Sequence, residues 1–137
     1  GGAPRHDGRS AVYRPVGSPA VPDLELTLAL ARHSERIAAA AGTHSFTGIS
    51  VSDDAFYAET PEWIGELNRM GILNVEMEAS ALYIVARLRG LRAGMVCAAS
   101  SNLVDGASLY DEKNSALKDG WMRSIEAALE TAVELEL

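Results

Sequence analysis

Four things are scarce in this 137-residue chain. Cysteine occurs once, as Cys97, so no internal disulfide can form, and a reducing compartment is expected. Aromatic residues make up 6% of the chain. Positive charge is in deficit, with 12 Lys and Arg against 19 Asp and Glu and a net charge of −7. That balance excludes a general nucleic-acid binder, which needs a basic face, and argues against docking on anionic membranes. No apolar run is long enough to span a bilayer. The first residues, Gly1 to Asp7, hold no apolar stretch of the kind a secretory signal needs. A soluble, cytoplasmic α/β protein of about one domain is expected.

The remainder is ordinary globular sequence, 47% apolar. The first methionine is Met70, which fits a processed chain or the downstream part of a longer one. Residues 1–23 carry Gly and Pro and read as loop, with a short strand over 11–14. Asp23 is a good N-cap for a helix over 24–41, whose apolar stripe is Leu24, Leu28, Ala31 and Ile37, and Gly42 ends it. Residues 44–52 are rich in β-branched residues and predict a strand, closed by a Ser52-Asp53-Asp54 turn. Pro61 starts a helix over 62–70, and 72–75 read as a short buried strand or an extended entry. A helix over 76–89 carries Met77, Ala81, Ile84, Val85 and Leu88 on one side. The apolar run within 92–100 predicts a strand covered on both faces, with Cys97 packed as a small hydrophobe. Residues 102–111 read as loop. The last helix, 115–134, places Leu117, Trp121, Ile125 and Leu129 on one line. Strands alternating with helices predict an α/β layered sheet. So few strands would leave apolar surface uncovered, so either more chain or an oligomer must cover it.

Three segments could carry chemistry. Glu76-Met77-Glu78 sits at a strand-to-helix junction. Acids in a first helical turn complement the helix dipole, which is one reading. The other is that a carboxylate at a sheet edge accepts hydrogen bonds from two adjacent hydroxyls, as a ribose diol requires. Ser52-Asp53-Asp54-Ala55-Phe56-Tyr57 is rich in oxygen but lacks the Gly and the downstream Glu of a calcium loop, so no metal is expected; its aromatics could anchor a core or stack on a planar base. Ser100-Ser101-Asn102 ends the expected buried strand, where open α/β sheets bind ligands, and equally reads as a plain turn. His6, His33 and His44 show no metal spacing, and His33 reads as a solvated helix residue. Neither a P-loop nor a dinucleotide fingerprint is present.

Taken in order, these segments resemble the nucleoside phosphorylase family that includes uridine phosphorylase and the hexameric purine nucleoside phosphorylases. The resemblance rests on Pro19-Ala20-Val21-Pro22-Asp23-Leu24-Glu25, on the Ser52 to Tyr57 loop, on Asn74-Val75-Glu76-Met77-Glu78-Ala79 and on Gly90-Leu91-Arg92-Ala93-Gly94-Met95-Val96. It implies a three-layer α/β/α fold with a central mixed sheet, of which residues 1–137 form the C-terminal part. It implies a pentosyltransferase that uses inorganic phosphate as co-substrate and no cofactor. Glu78 would hold the ribose 2′ and 3′ hydroxyls, Met77 would pack beneath the sugar and Glu76 would support the pocket. Phe56 would stack near the base, Val75 would line it, and Ser100 and Ser101 would lie at the substrate. Assembly as a hexamer built from dimers is implied as well.

The sequence departs from the family pattern in three places. The family's Gly-rich phosphate loop and phosphate-binding arginines lie upstream of the matched segments, and Arg5, Arg9 and Arg14 lie in the wrong stretch to replace them. The loop Ala58-Glu59-Thr60-Pro61-Glu62 is short, as in the purine enzymes, and lacks the Gln and Arg that read uracil. Ser100-Ser101 stands where purine enzymes and nucleosidases carry Ser-Asp, so the acid that protonates a purine is missing and a uridine-like substrate is favoured. The alternatives are a purine nucleoside phosphorylase, a nucleosidase using water, and a non-catalytic nucleoside-binding or assembly fragment.

Overall fold

The computed structural model describes residues 5–15, 17–108 and 115–137. The expected readings of residues 1–4, Val16 and 109–114 therefore lie outside the described residues. The chain divides into two compact units, one of residues 1–23 with 48–94 and one of residues 24–47 with 95–137.

In the first unit, β1 (Arg5–His6) runs directly into α1 (Gly8–Tyr13). A strand was expected at 11–14, but Asp7 overrides it. Asp7 caps the helix, its Oδ1 accepting from the Ser10 N–H at 2.6 Å, and that local bond outweighs the weak strand preference of Ala-Val-Tyr. β2 (Ile49–Asp53) follows, and a short 3₁₀ turn (Phe56–Ala58) leads to α3 (Pro61–Arg69). Thr60 caps α3 by accepting from the Trp63 N–H at 3.3 Å, and Pro61 stands where no amide partner is needed. α3 buries Ile64 and Leu67. β3 (Ile72–Glu76) then leads into α4 (Ala79–Leu88).

The sheet is parallel in the order β1-β2-β3, with Arg5 beside Ser52 and Ser52 beside Glu76. Val51 at the centre of β2 and Ser52 after it are fully buried, and Ser50 and Asp53 are buried as well. The expected turn at 52–54 is thus two strand residues followed by Asp54. A parallel strand buried on both faces is usually apolar. This one tolerates its polar residues because, among the described residues, every buried side-chain polar atom has a hydrogen-bond partner. α4 begins three residues later than expected, since Glu76 completes the β3 ladder. It buries Ala79, Ser80, Tyr83, Ile84 and Ala86, while Leu88 of the expected stripe is exposed. Gly90 closes the helix at φ 66°, and the Leu91 N–H donates to the Ala86 carbonyl at 2.9 Å.

In the second unit, α2 (Leu24–Ala40) packs on α5 (Ser115–Glu134). α2 buries Ala29, Leu30, Ile37 and Ala38, and the expected Leu24 and Leu28 are exposed. His33 lies on the same line as Ala29 and Ile37 and is not solvated. Its Nδ1 is 2.7 Å from Glu130 Oε2 and its Nε2 is 2.8 Å from Glu134 Oε2, while Arg36 and Arg32 pair with the same two carboxylates. α5 buries Leu117, Ala127 and Thr131, whereas Trp121, Ile125 and Leu129 of the expected line are exposed. Residues 91–100 form no strand, and Cys97 is exposed rather than packed. An apolar run becomes a strand only where neighbours supply its ladder bonds, and no described strand pairs with this stretch. β4 (Ser101–Asn102) and β5 (Ala107–Ser108) make a separate antiparallel pair. The expected mixed sheet is therefore not among the described strands, which form one parallel sheet and one two-residue antiparallel pair.

Candidate functional site

Three chain segments leave the parallel sheet at its C-terminal edge. β1 delivers Asp7 and α1, β2 delivers Phe56, and β3 delivers the Glu76-Met77-Glu78 turn. That edge is where open α/β sheets bind ligands. The Gly8 N–H donates to Asp54 Oδ2 at 2.8 Å, tying the first segment to the second. The Arg9 guanidinium donates to the Met77 carbonyl, tying the first to the third.

The two glutamates have opposite roles. Glu76 is half-buried and turned into the protein. Its Oε1 accepts from the Ser52 hydroxyl, and its Oε2 accepts from the N–H of Glu78 at 2.7 Å and of Ala79 at 2.6 Å. These are amides at the start of α4, which have no partner within the helix and carry the positive end of its dipole. The next amide, of Ser80, donates to the Ser52 hydroxyl oxygen at 2.9 Å. Glu78 is exposed and makes no capping bond; its Oε2 lies 3.3 Å from the Met77 amide. Its carboxylate therefore keeps most of its acceptor capacity for a ligand.

Beneath this turn runs a second polar layer. Asp7 is buried, and its Oδ2 accepts from the hydroxyls of Ser80 at 2.5 Å and Ser10 at 2.8 Å. Burial pushes the Asp7 carboxyl up, but the hydrogen bonds from Ser80 and Ser10 and the nearby Arg5 charge outweigh it and hold it below the usual range. Arg5 is buried too. Its Nε donates to the Ser10 hydroxyl at 2.7 Å, and its other nitrogens reach the carbonyls of Arg14, Pro15 and Ser18.

The sheet edge brings together five of the expected site residues, Phe56, Val75, Glu76, Met77 and Glu78. Val75 and Met77 are half-buried, and Phe56 is exposed, edge-on to Tyr57 at 5.4 Å. Ser100 and Ser101 belong to the second unit, half-buried at the entry to β4. Asp7, Ser10 and Ser80 were not anticipated. The signal for the first two was present, since Asp7 with Ser10 three residues on is a helix-start pattern. Among the described residues no cluster of His, Cys, Asp and Glu could hold a metal ion.

A family model described as the phosphorylase superfamily matches residues 2–134. A guanosine phosphorylase of Halorubrum lacusprofundi is 37% identical over 98% of this chain and 56% of its own length. A uridine phosphorylase of Thermococcus kodakarensis is 37% identical over 84% of this chain and 45% of its own. A DeoD-type purine nucleoside phosphorylase of Roseobacter denitrificans is 35% identical over 79% of this chain and 47% of its own. The chain spans about half the length of these curated relatives. On the family match and these identities together, the chain belongs to the phosphorylase superfamily, as the resemblance of its Glu76-Met77-Glu78 segment implied.

Proposed function

We propose that this chain forms the sugar and base side of a nucleoside phosphorylase site. The reaction is phosphate-dependent cleavage of a ribonucleoside. A phosphate oxygen bonds to the anomeric carbon, the N-glycosidic bond breaks with its electron pair on the base, and the base takes up a proton. The products are ribose 1-phosphate and free base. The observation that carries this reading is the division of labour between Glu76, engaged from within, and Glu78, exposed at the sheet edge. The Glu78 carboxylate accepts from the 2′ and 3′ hydroxyls, Met77 packs against the sugar, and Phe56 and Val75 meet the base. Fixing the ribose holds the anomeric carbon for attack, and negative charge nearby favours the oxocarbenium-like sugar of the transition state.

Phosphate is bound by groups outside this set. The amides that open α4 are already occupied by Glu76 and Ser52, and a carboxylate at that helix start repels a second anion. The wider reading has residues 1–137 as part of one three-layer domain in a cytoplasmic homo-oligomer, a hexamer built from dimers. The exposed apolar residues of α5, Trp121, Ile125 and Leu129, accord with further packing.

The base is uridine-like in the first reading, because Ser100-Ser101 supplies no acid to protonate a purine. A second reading, guanosine, is favoured by the relative from Halorubrum lacusprofundi, which matches across 98% of the chain. The test is to incubate the full-length protein that carries these residues with uridine, thymidine, guanosine and inosine, with and without phosphate. Phosphate-dependent release of base and ribose 1-phosphate is expected, fastest with uridine. Faster guanosine cleavage moves the assignment to the second reading, and base release without phosphate makes the protein a nucleosidase.

A further inference from the structure

We infer that Ser52 is a positioning residue for Glu78, acting through the Glu76 carboxylate. This deepens the reading of Glu78 as the ribose grip and rests on it.

Ser52 is fully buried on β2, in register with Glu76 on β3. Its hydroxyl has one proton to give and gives it to Glu76 Oε1, while its oxygen accepts the Ser80 amide at 2.9 Å. That leaves Glu76 Oε2 to take the amides of Glu78 and Ala79, at 2.7 and 2.6 Å. One side chain on the middle strand thus sets the rotamer of a second on the neighbouring strand. The second holds the backbone on which Glu78 stands. Glu78 itself has non-helical backbone angles, φ −129° and ψ −31°, and its side chain makes no capping bond; its amide is held by Glu76 and its carbonyl by the Leu82 N–H at 3.0 Å. Arg9, from α1, steadies the same turn through the Met77 carbonyl. The Glu78 carboxylate is exposed, and its Oε2 accepts from the Met77 N–H at 3.3 Å, an amide of the same turn that Glu76 and Arg9 hold.

If Ser52 aims Glu78, its loss weakens the grip on the diol and leaves the rest of the site alone. The experiment compares kcat/KM for a ribonucleoside with that for its 2′,3′-dideoxy analogue at saturating phosphate, in the full-length protein. Both substrates meet the same folded fraction, so a purely structural loss cancels from the ratio. Ser52→Ala is expected to lower the riboside-to-dideoxy ratio about tenfold, the scale of one weakened charge-assisted hydrogen bond. Glu76→Ala is expected to lower it at least as much. Glu76→Gln retains more of it, because its amide oxygen still accepts from the Glu78 and Ala79 amides. Ser52→Cys keeps the side-chain volume with weaker hydrogen bonds, and it reads the same ratio where alanine does not fold. An unchanged ratio in the Ser52 variants, with a ratio lost in Glu78→Ala, overturns this inference alone. An unchanged ratio in Glu78→Ala overturns the ribose-grip reading itself, and so does a parent enzyme that cleaves neither substrate.

Discussion

Ser52 and Glu76 stand beside each other in the parallel register of β2 and β3, and the hydroxyl of the first donates to the carboxylate of the second. Through that pair the sheet edge and the start of α4 become one hydrogen-bonded unit. A strand end that also caps the next helix has little freedom, which is what a ligand-gripping turn requires.

Asp7 underpins the same unit from below, where it accepts from the Ser10 amide and from the hydroxyls of Ser10 and Ser80. Asp7→Asn replaces one acceptor oxygen with a donor in a buried site. We expect a loss of about 1–3 kcal/mol in unfolding free energy, read by urea denaturation. Adding Ser80→Ala should cost less than the sum of the two single changes, because both break the same network. Strict additivity would separate the two residues and count against the network.

Acid should unfold the protein through carboxylates whose folded forms favour ionisation. Asp7 is one: burial raises it, yet the hydrogen bonds from Ser80 and Ser10 win. Among the described residues Glu130, held down by the hydrogen bond from Arg36, and Glu134, held down by that from His33, are shifted the same way. For acids shifted down, the stabilisation is present above the ordinary carboxylate range and is lost as pH falls through the folded value. Stability should hold from neutral pH to about 5 and decline below about 4. The gap between the parent and Asp7→Asn should narrow over the same decline. A gap of constant size down to pH 2 would contradict the shift assigned to Asp7.

Glu59 carries the opposite sign. Burial and the neighbouring Asp53 charge raise it, so ionising Glu59 costs the folded state. That cost is absent below the ordinary carboxylate range and complete once pH exceeds the raised folded value. Glu59→Gln should therefore raise the melting temperature at pH 7 and leave it unchanged at pH 3. A lower melting temperature at pH 7 would show that the carboxylate has a stabilising partner.

Local signals in the sequence are its most legible part. The Pro61 helix start and the Gly90 stop stand close to where their chemistry put them. The Glu76-Met77-Glu78 turn also lies at the strand-to-helix junction expected of it. What escaped reading depends on partners distant in sequence. Whether 92–100 becomes a strand depends on neighbours to pair with, and the run alone does not say. α5 shows two candidate faces, and the one that carries Ala127 and Thr131 is buried. The larger residues Trp121 and Ile125 looked more like core, but α2 presents small Ala29 and Ala38 and the charged His33 cluster. A stripe drawn through Leu24, Leu28 and Ala31 turns His33 to solvent, and the carboxylates of α5, about a hundred residues away, account for its place between Ala29 and Ile37. The split between Glu76 and Glu78 comes from the family resemblance alone, since two acids in one turn look alike until Ser52 is placed beside one of them.

The most direct test of the account is the rate of riboside phosphorolysis by Glu78→Ala. Glu78 is exposed and caps nothing, so the variant should melt like the parent. Its kcat/KM for the best ribonucleoside should fall by about a hundredfold or more, corresponding to about 3 kcal/mol of lost transition-state stabilisation from two hydrogen bonds to a charged group. Cleavage at the parent's rate by the folded variant would contradict the claim that this carboxylate holds the ribose.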